Sequence, residues 1–372
     1  MTIMQLQDRT LAIDVLRGLT LALMIVVNMS IDDVSYGQLL HAPWFGLTLT
    51  DLVFPSFLFA VGASLSITLE KYQQLGSAAV LRKVLTRSVL IFLCGYLLYW
   101  FPFFRFDASG HLTLLPLAQT RIPGVLQRIA LCYGAAALIL HFAGRRAAWG
   151  FCVVALLGYW ALLYTGGDLT LTGNAVLALD RALLGEAHLY HGEGVAFDPE
   201  GLLSTLPAIV NVLAGYFAGR VLRERGRNYE ALGRLLLAAG LCIVVALLWS
   251  NVLPLGKKLW TSSYALCAVG IDLYVLALLV YLIDIRGLRG WTHFFEVLGR
   301  NTLFIYLLSE IGNSLIGMIT VGAQSLYTWL YEVAFRSWAG PQNGALLYAI
   351  AFMLCCWGVA YALDRRHIYI KF

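Results

Sequence analysis

The sequence predicts an all-α integral membrane protein: a single polytopic bundle of about ten transmembrane helices over residues 1–372, with both termini cytoplasmic. Three observations carry this. Hydrophobic residues make up 60% of the 372 and charged residues only 13%, where a soluble chain carries roughly 25% charged residues. Apolar runs of ~20 residues recur along the chain, long enough as helices to span a hydrocarbon core of ~30 Å. Basic residues gather in every second loop, as the positive-inside rule requires of cytoplasmic segments.

The runs place spans near Leu11 to Val27, Leu52 to Leu69, Val84 to Phe101, Pro123 to Phe142 and Trp149 to Tyr164. Further spans lie near Leu203 to Leu222, Leu235 to Trp249, Ala265 to Ile283, Leu303 to Val321 and Leu346 to Leu363. The first run follows polar residues, holds Asp14 and Arg17, and lacks a small-residue cleavage site. It reads as a retained helix rather than a removable leader. Lys71, Arg82, Lys83 and Arg87 follow the second span, Arg145 and Arg146 the fourth, and Arg220, Arg223, Arg225, Arg227 and Arg234 the sixth. Arg286, Arg289 and Arg300 follow the eighth, and Arg365, Arg366 and Lys371 close the chain. The alternate loops hold only Arg105, Arg181, Lys257, Lys258 and Arg336. The net charge of +5 is therefore topological, and no nucleic-acid partner is expected.

All seven cysteines, an odd number, lie in apolar runs. They read as small buried hydrophobes, with no disulfide and no zinc spacing. Two loops on the non-cytoplasmic side are long. Ser30 to Thr50 carries Asp32, Asp33, His41 and Trp44; Thr165 to Gly201 carries Asp180, Arg181, Glu186, His188, His191, Glu193, Asp198 and Glu200. Rich in aromatic, histidine and acidic residues, they read as ordered caps over a cavity.

Asp14 and Arg17 share a helix face, and an ion pair that fixes packing accounts for them. Asn28 ends the first span and suits a helix cap; with His41 it also makes an amide beside a general base. Asp51 opens the second span, where a carboxylate suits the helix dipole, and Pro55 follows in what reads as the first turn, where proline is tolerated. Arg128 sits about two turns into the fourth span. At membrane depth it requires either an anionic ligand or an internal carboxylate. The group His188, His191, Glu193 and Asp198 matches no metal spacing, so no metal is expected. No Walker loop, nucleophile elbow or dinucleotide fingerprint occurs.

Several blocks then fall in a familiar order. They are Leu11-Ala-Ile-Asp14-Val-Leu-Arg17-Gly18, Val27-Asn28, His41-Ala-Pro-Trp44-Phe-Gly46-Leu47-Thr48 and Asp51-Leu-Val-Phe-Pro55. Next come Arg121-Ile-Pro-Gly-Val-Leu-Gln127-Arg128, Asp180-Arg181-Ala-Leu-Leu-Gly185-Glu-Ala-His188-Leu-Tyr190 and Ala196-Phe-Asp198-Pro-Glu200-Gly201. Lys258-Leu-Trp260-Thr-Ser-Ser-Tyr264 and Asn301-Thr-Leu-Phe-Ile-Tyr306 complete the series. The series resembles the transmembrane acetyltransferase family of heparan-α-glucosaminide N-acetyltransferase and its bacterial relatives. Phe45 departs from it, standing where the animal enzymes have asparagine.

The resemblance implies acetyl transfer from acetyl-CoA to the amino group of glucosamine or a terminal glucosaminide on the far side of a bacterial inner membrane. It implies His41 as the catalytic histidine, acting as general base or as a nucleophile that first takes the acetyl group, with Asn28 as its partner. Arg121, Gln127 and Arg128 are then candidates for the acetyl-CoA cavity, and Trp44, Asp51, Asp198 and Glu200 for sugar contacts. Relatives also suggest a homodimer. An amino-sugar permease with the same polar cavity is the rival reading, and an acyltransferase with a longer donor is a third.

Overall fold

A computed structural model describes residues 10–31, 34–106, 109 and 111–370. The loop acids Asp32 and Asp33 and the terminal Lys371 lie outside the described residues. The described residues are mostly helical, with the main helices in the order α1 (Leu11–Asn28), α2 (Leu49–Gln73), α3 (Ser77–Trp100), α4 (Val125–Leu138), α5 (Gly144–Thr165) and α6 (Ala175–Leu184). There follow α7 (Thr205–Arg225), α8 (Tyr229–Ser250), α9 (Ser262–Val280), α10 (Thr292–Arg300), α11 (Thr302–Met318) and α12 (Pro341–Arg365). Among the described residues, seven helical runs are long and apolar enough to cross a membrane. One of them, Val125–Thr165, is a 41-residue run interrupted at Gly144, where φ is +77°. The expected spans at Val84–Phe101 and Leu303–Val321 fall on α3 and α11, neither of which is among those seven, and the end of the second lies in the strand Thr320–Val321 rather than in a helix. Leu237, Leu241 and Leu248 on α8 are 77%, 66% and 67% exposed, which an aqueous surface would not tolerate as one stripe. This is a multi-pass membrane protein.

Lipid gives helices little hydrophobic reason to associate, so close backbone packing carries the bundle. The tightest seam joins α2 to α7. A Cβ added at Gly62 would lie 1.8 Å from the Val212 carbonyl oxygen, and one at Gly215 would lie 1.9 Å from that of Phe59. Gly219, one turn further on, faces Ser66 and Ala63 in the same way. A second seam joins α1 to α10, where Gly18 meets the backbone of Phe295. Arg17 locks it: Nη2 pairs with Asp14 Oδ1 at 3.1 Å and Nε donates to the Gly299 carbonyl at 2.7 Å. The expected ion pair is thus a packing device.

The long loop between α5 and α7 is ordered and contains α6, a helix absent from the expected spans. Asn174 caps it by accepting from the Leu177 N–H, and Gly185 ends it at φ +79°. Two short hairpins, Phe104–Phe106 with Leu112–Leu114 and Thr320–Val321 with Gln324–Ser325, decorate other loops. All seven cysteines are free.

The α2–α7 seam gives a direct test. Gly215→Ala should destabilise the protein by about 1–3 kcal/mol, the usual cost of overpacking. Gly158→Ala, where nothing lies within 4 Å, should leave the thermal midpoint in detergent unchanged or slightly raised.

Candidate active site

The site starts from a missing hydrogen bond. Pro55 stands in the second turn of α2, not in its first as expected. It has no N–H, so the Asp51 carbonyl one turn earlier loses its helical donor. The Tyr264 hydroxyl of α9 supplies the replacement at 2.5 Å. The Asp51 side chain is equally engaged. Thr48 caps α2 by accepting from the Asp51 N–H, in a reciprocal capping box. Asp51 Oδ2 accepts the backbone N–H groups of Ala42 and Thr48 at 3.2 and 3.1 Å. Oδ1 lies 2.7 Å from His41 Nδ1.

Surrounded by donors, the Asp51 carboxylate acts as an acceptor, so Nδ1 of His41 carries the proton. Nε2 then keeps its lone pair. The Asp51 side chain is 1% exposed and that of His41 47%. A buried anion orients a ring that remains open to a substrate.

From Tyr264 the contacts run inward. Its ring meets Trp260 edge-on at 5.4 Å. Trp260 is fully buried and sits at φ +51°, a left-handed conformation that costs a bulky residue ~1–2 kcal/mol. Its Nε1–H donates to Asn211 Oδ1 at 3.1 Å, and the guanidinium of Arg128 lies 5.0 Å from its ring. Arg128 Nη2 donates to the Gly201 carbonyl at 2.8 Å and to the Ser204 hydroxyl. Arg128 Nε and Nη1 have no hydrogen-bond partner among the described residues. No carboxylate pairs with this arginine among the described residues, so the internal acid expected as one of its possible partners is not found there.

Arg121 contrasts with it. Nε and Nη2 grip Asp198 at 2.8 and 2.7 Å, Nη2 also donates to Glu200 at 2.7 Å, and Nη1 to the Tyr99 hydroxyl at 3.2 Å. The guanidinium is sandwiched between the Tyr99 and Tyr190 rings at 4.7 and 4.8 Å. Four of its five N–H groups are used, so Arg121 serves as an internal clamp. Lys257 joins Glu200 at 3.6 Å. Burial alone would raise the Glu200 carboxyl, but Lys257, Arg121 and Arg128 reverse this and hold it well below its ordinary range.

The structure therefore redistributes the sequence-derived candidates. His41 meets Asp51, while Asn28 donates to Glu310 Oε1 on α11 at 2.6 Å. Gln127 is buried, its amide lying against Gly95 of α3 with neither Oε1 nor Nε2 partnered among the described residues. Asp198 and Glu200 are occupied by Arg121. His188 contacts the Thr120 carbonyl at 2.7 Å and Glu193 pairs with Lys258 at 2.6 Å. Trp44 donates to the Leu169 carbonyl at 2.8 Å and lines a cavity of about 450 Å³ with Pro43, Phe45, Leu169, Thr170, Leu171 and Glu193. Sequence reasoning missed Glu310, Lys257 and Tyr264.

The family model described as "Heparan-alpha-glucosaminide N-acetyltransferase, catalytic" matches residues 9–247. The chain belongs to that family. It is 30% identical to heparan-alpha-glucosaminide N-acetyltransferase of Homo sapiens over 368 residues, covering 82% of this chain and 53% of the relative. The Mus musculus protein of that name is also 30% identical, over 366 residues, with 82% and 54% covered. The chain thus spans about half the length of these relatives. The N-acetyltransferase family match contains Asn28, His41, Asp51, Arg121 and Arg128, whereas Lys257, Trp260, Tyr264 and Glu310 lie beyond it.

Asp180 on α6 gives the site a pH signature. It is fully buried, Oδ1 accepts the Leu202 N–H at 2.9 Å, and Oδ2 has no partner among the described residues. Burial pushes its carboxyl up to about 6, against the opposing Leu202 bond. Between the unfolded value and about 6 the folded protein binds the extra proton, so its stability falls as pH rises through that window. The full difference is on the order of 3 kcal/mol. Thermal midpoints in detergent from pH 4 to 7 should fall in wild type and flatten in Asp180→Asn.

Proposed function

We propose that this protein moves an acetyl group from acetyl-CoA to the amino group of glucosamine or a terminal glucosaminide, with His41 as general base. The observation that carries the reading is the His41–Asp51 contact. An acceptor-only carboxylate fixes the Nδ1–H tautomer, and the Nε2 lone pair then takes the proton of the attacking amine. The buried charge of Asp51 also stabilises the imidazolium formed in that step. Acetyl-CoA supplies an activated acetyl carbon and a thiolate that leaves with a proton. Arg128, with its unused Nε and Nη1, is the residue best fitted to hold an anionic part of the donor. Asn28 and Glu310 form a second polar pair, suited to the acceptor ammonium. Trp44, three residues after His41, provides an aromatic wall for the sugar.

The membrane arrangement belongs to the same proposal. Residues 1–372 form one domain crossing a bacterial inner membrane about ten times. Both termini are cytoplasmic and the His41 loop lies on the extracytoplasmic side. The alternation of basic loops supports that orientation.

Purified protein supplied with acetyl-CoA and glucosamine should form N-acetylglucosamine. His41→Ala should lower kcat by about 10²–10⁴-fold, the usual range for a general base. Asp51→Asn, which lets Nδ1 accept instead of donate, should cost at least about 10²-fold. Arg128→Met should raise KM for acetyl-CoA more than it lowers kcat. A well-folded wild type that accumulates glucosamine in vesicles without acetyl-CoA, and never acetylates it, would establish the permease reading instead.

A further inference from the structure

The loop that carries His41 also walls an open cleft that acetyl transfer to a single sugar does not require. It is open to solvent, with a volume of about 450 Å³. Pro43, two residues from His41, forms part of its wall, which places it within about 7 Å of that residue along the chain. The remaining walls are Trp44, Phe45, Leu169, Thr170, Leu171 and Glu193.

These walls are fixed before any ligand arrives. Trp44 is pinned through Nε1 to the Leu169 carbonyl at 2.8 Å, and its ring packs on Phe197 at 5.4 Å and Phe45 at 6.1 Å. The opposite wall is tied by Asp168, whose Oδ1 accepts the Thr170 N–H at 2.8 Å and hydroxyl at 2.5 Å. Asn174 Nδ2 donates to the Thr170 and Leu171 carbonyls at 2.8 and 2.9 Å. A preformed wall lowers the ordering cost of binding.

We propose that this cavity is a second sugar subsite, and that the acceptor is an unsulfated, neutral or cationic amino-sugar oligomer. This deepens the acetyl-transfer reading and rests on it. With the terminal amine at His41, the next ring along the chain lies over Trp44 and Phe45. Aromatic faces suit the apolar C–H face of a pyranose, while Thr170 and Glu193 offer polar partners for its hydroxyls or a second ammonium. The charge decides the class. Glu193 is the charged residue in the wall, and no lysine or arginine lines the cavity among the described residues. The adjacent Lys258 is bound to Glu193 at 2.6 Å. A sulfate would find a carboxylate and no free guanidinium or ammonium, so the cavity selects against it.

The test compares three acceptors on the purified full-length protein: glucosamine, the unsulfated β-1,4-linked glucosamine disaccharide, and a sulfated disaccharide ending in glucosamine. Wild type should show a kcat/KM about tenfold or more higher for the unsulfated disaccharide than for glucosamine, equivalent to ~1.4 kcal/mol, and should disfavour the sulfated one. Phe45→Ala, and Leu171→Trp as a space-filling variant should the first fail to fold, should each bring the disaccharide-to-monosaccharide ratio close to unity. Equal values for the two unsulfated acceptors in wild type, a ratio unmoved by a folded variant, or a preference for the sulfated sugar would overturn the proposal. Should no sugar be acetylated, tryptophan-fluorescence titration without donor separates the two claims. Tighter disaccharide binding that Leu171→Trp abolishes would sustain the subsite while the acetyl-transfer reading fails, and equal or absent binding would overturn the subsite itself.

Discussion

The arrangement of this site depends on one buried carboxylate, with both oxygens of Asp51 engaged. Asp51 completes the capping box that Thr48 begins at α2, holds the Ala42 and Thr48 N–H groups, and carries the His41 imidazole. Its backbone carbonyl is released from the helix by Pro55 and captured by Tyr264. Within a low-dielectric bundle an unpaired carbonyl is costly, so the proline compels a contact between α2 and α9. A single residue thereby fixes the helix start, the turn of the His41 loop and the position of the aromatic core behind it.

Two further devices keep that centre in place. The glycines of α2 and α7 bring the two backbones together, so the helix bearing Asp51 is indexed against the helix that follows Asp198 and Glu200. The Arg121 clamp fastens that same acidic turn to the segment entering α4. Arg128, one helical stretch beyond, is left with unused donors beside Trp260. Two arginines seven residues apart thus differ in kind: one spends its N–H groups on carboxylates, the other is buried with Nε and Nη1 unpartnered among the described residues.

Much of the bundle was legible because hydrophobic length and loop charge are direct readouts of the bilayer. The helix start at Leu11 and the packing role of Asp14 and Arg17 follow from residue type and spacing, whereas the helix expected from Ala265 begins three residues earlier, at Ser262, behind its Thr261 cap. The site was legible only in part. His41 could be singled out, but its partner turned out to be Asp51, which capping alone seemed to explain. Nothing in the spacing distinguishes a carboxylate that only caps from one that also grips a histidine ten residues back. Glu310 left a usable signal, an acid inside the apolar run of α11, where ionisable residues are functional by default. Helix α6 left one as well, an asparagine cap and a terminal glycine around Ala175–Leu184. The clamping of Asp198 and Glu200 by Arg121 had no sequence signal, because those acids lie in a turn some eighty residues away.

The most direct measurement is a structure of the wild-type protein with a non-hydrolysable acetyl-CoA analogue and glucosamine bound together. The account predicts the sugar nitrogen within hydrogen-bond reach of His41 Nε2, roughly 2.6–3.2 Å, with Nδ1 still on Asp51. Both ligands bound away from His41, or an imidazole turned off Asp51 in the complex, would contradict it.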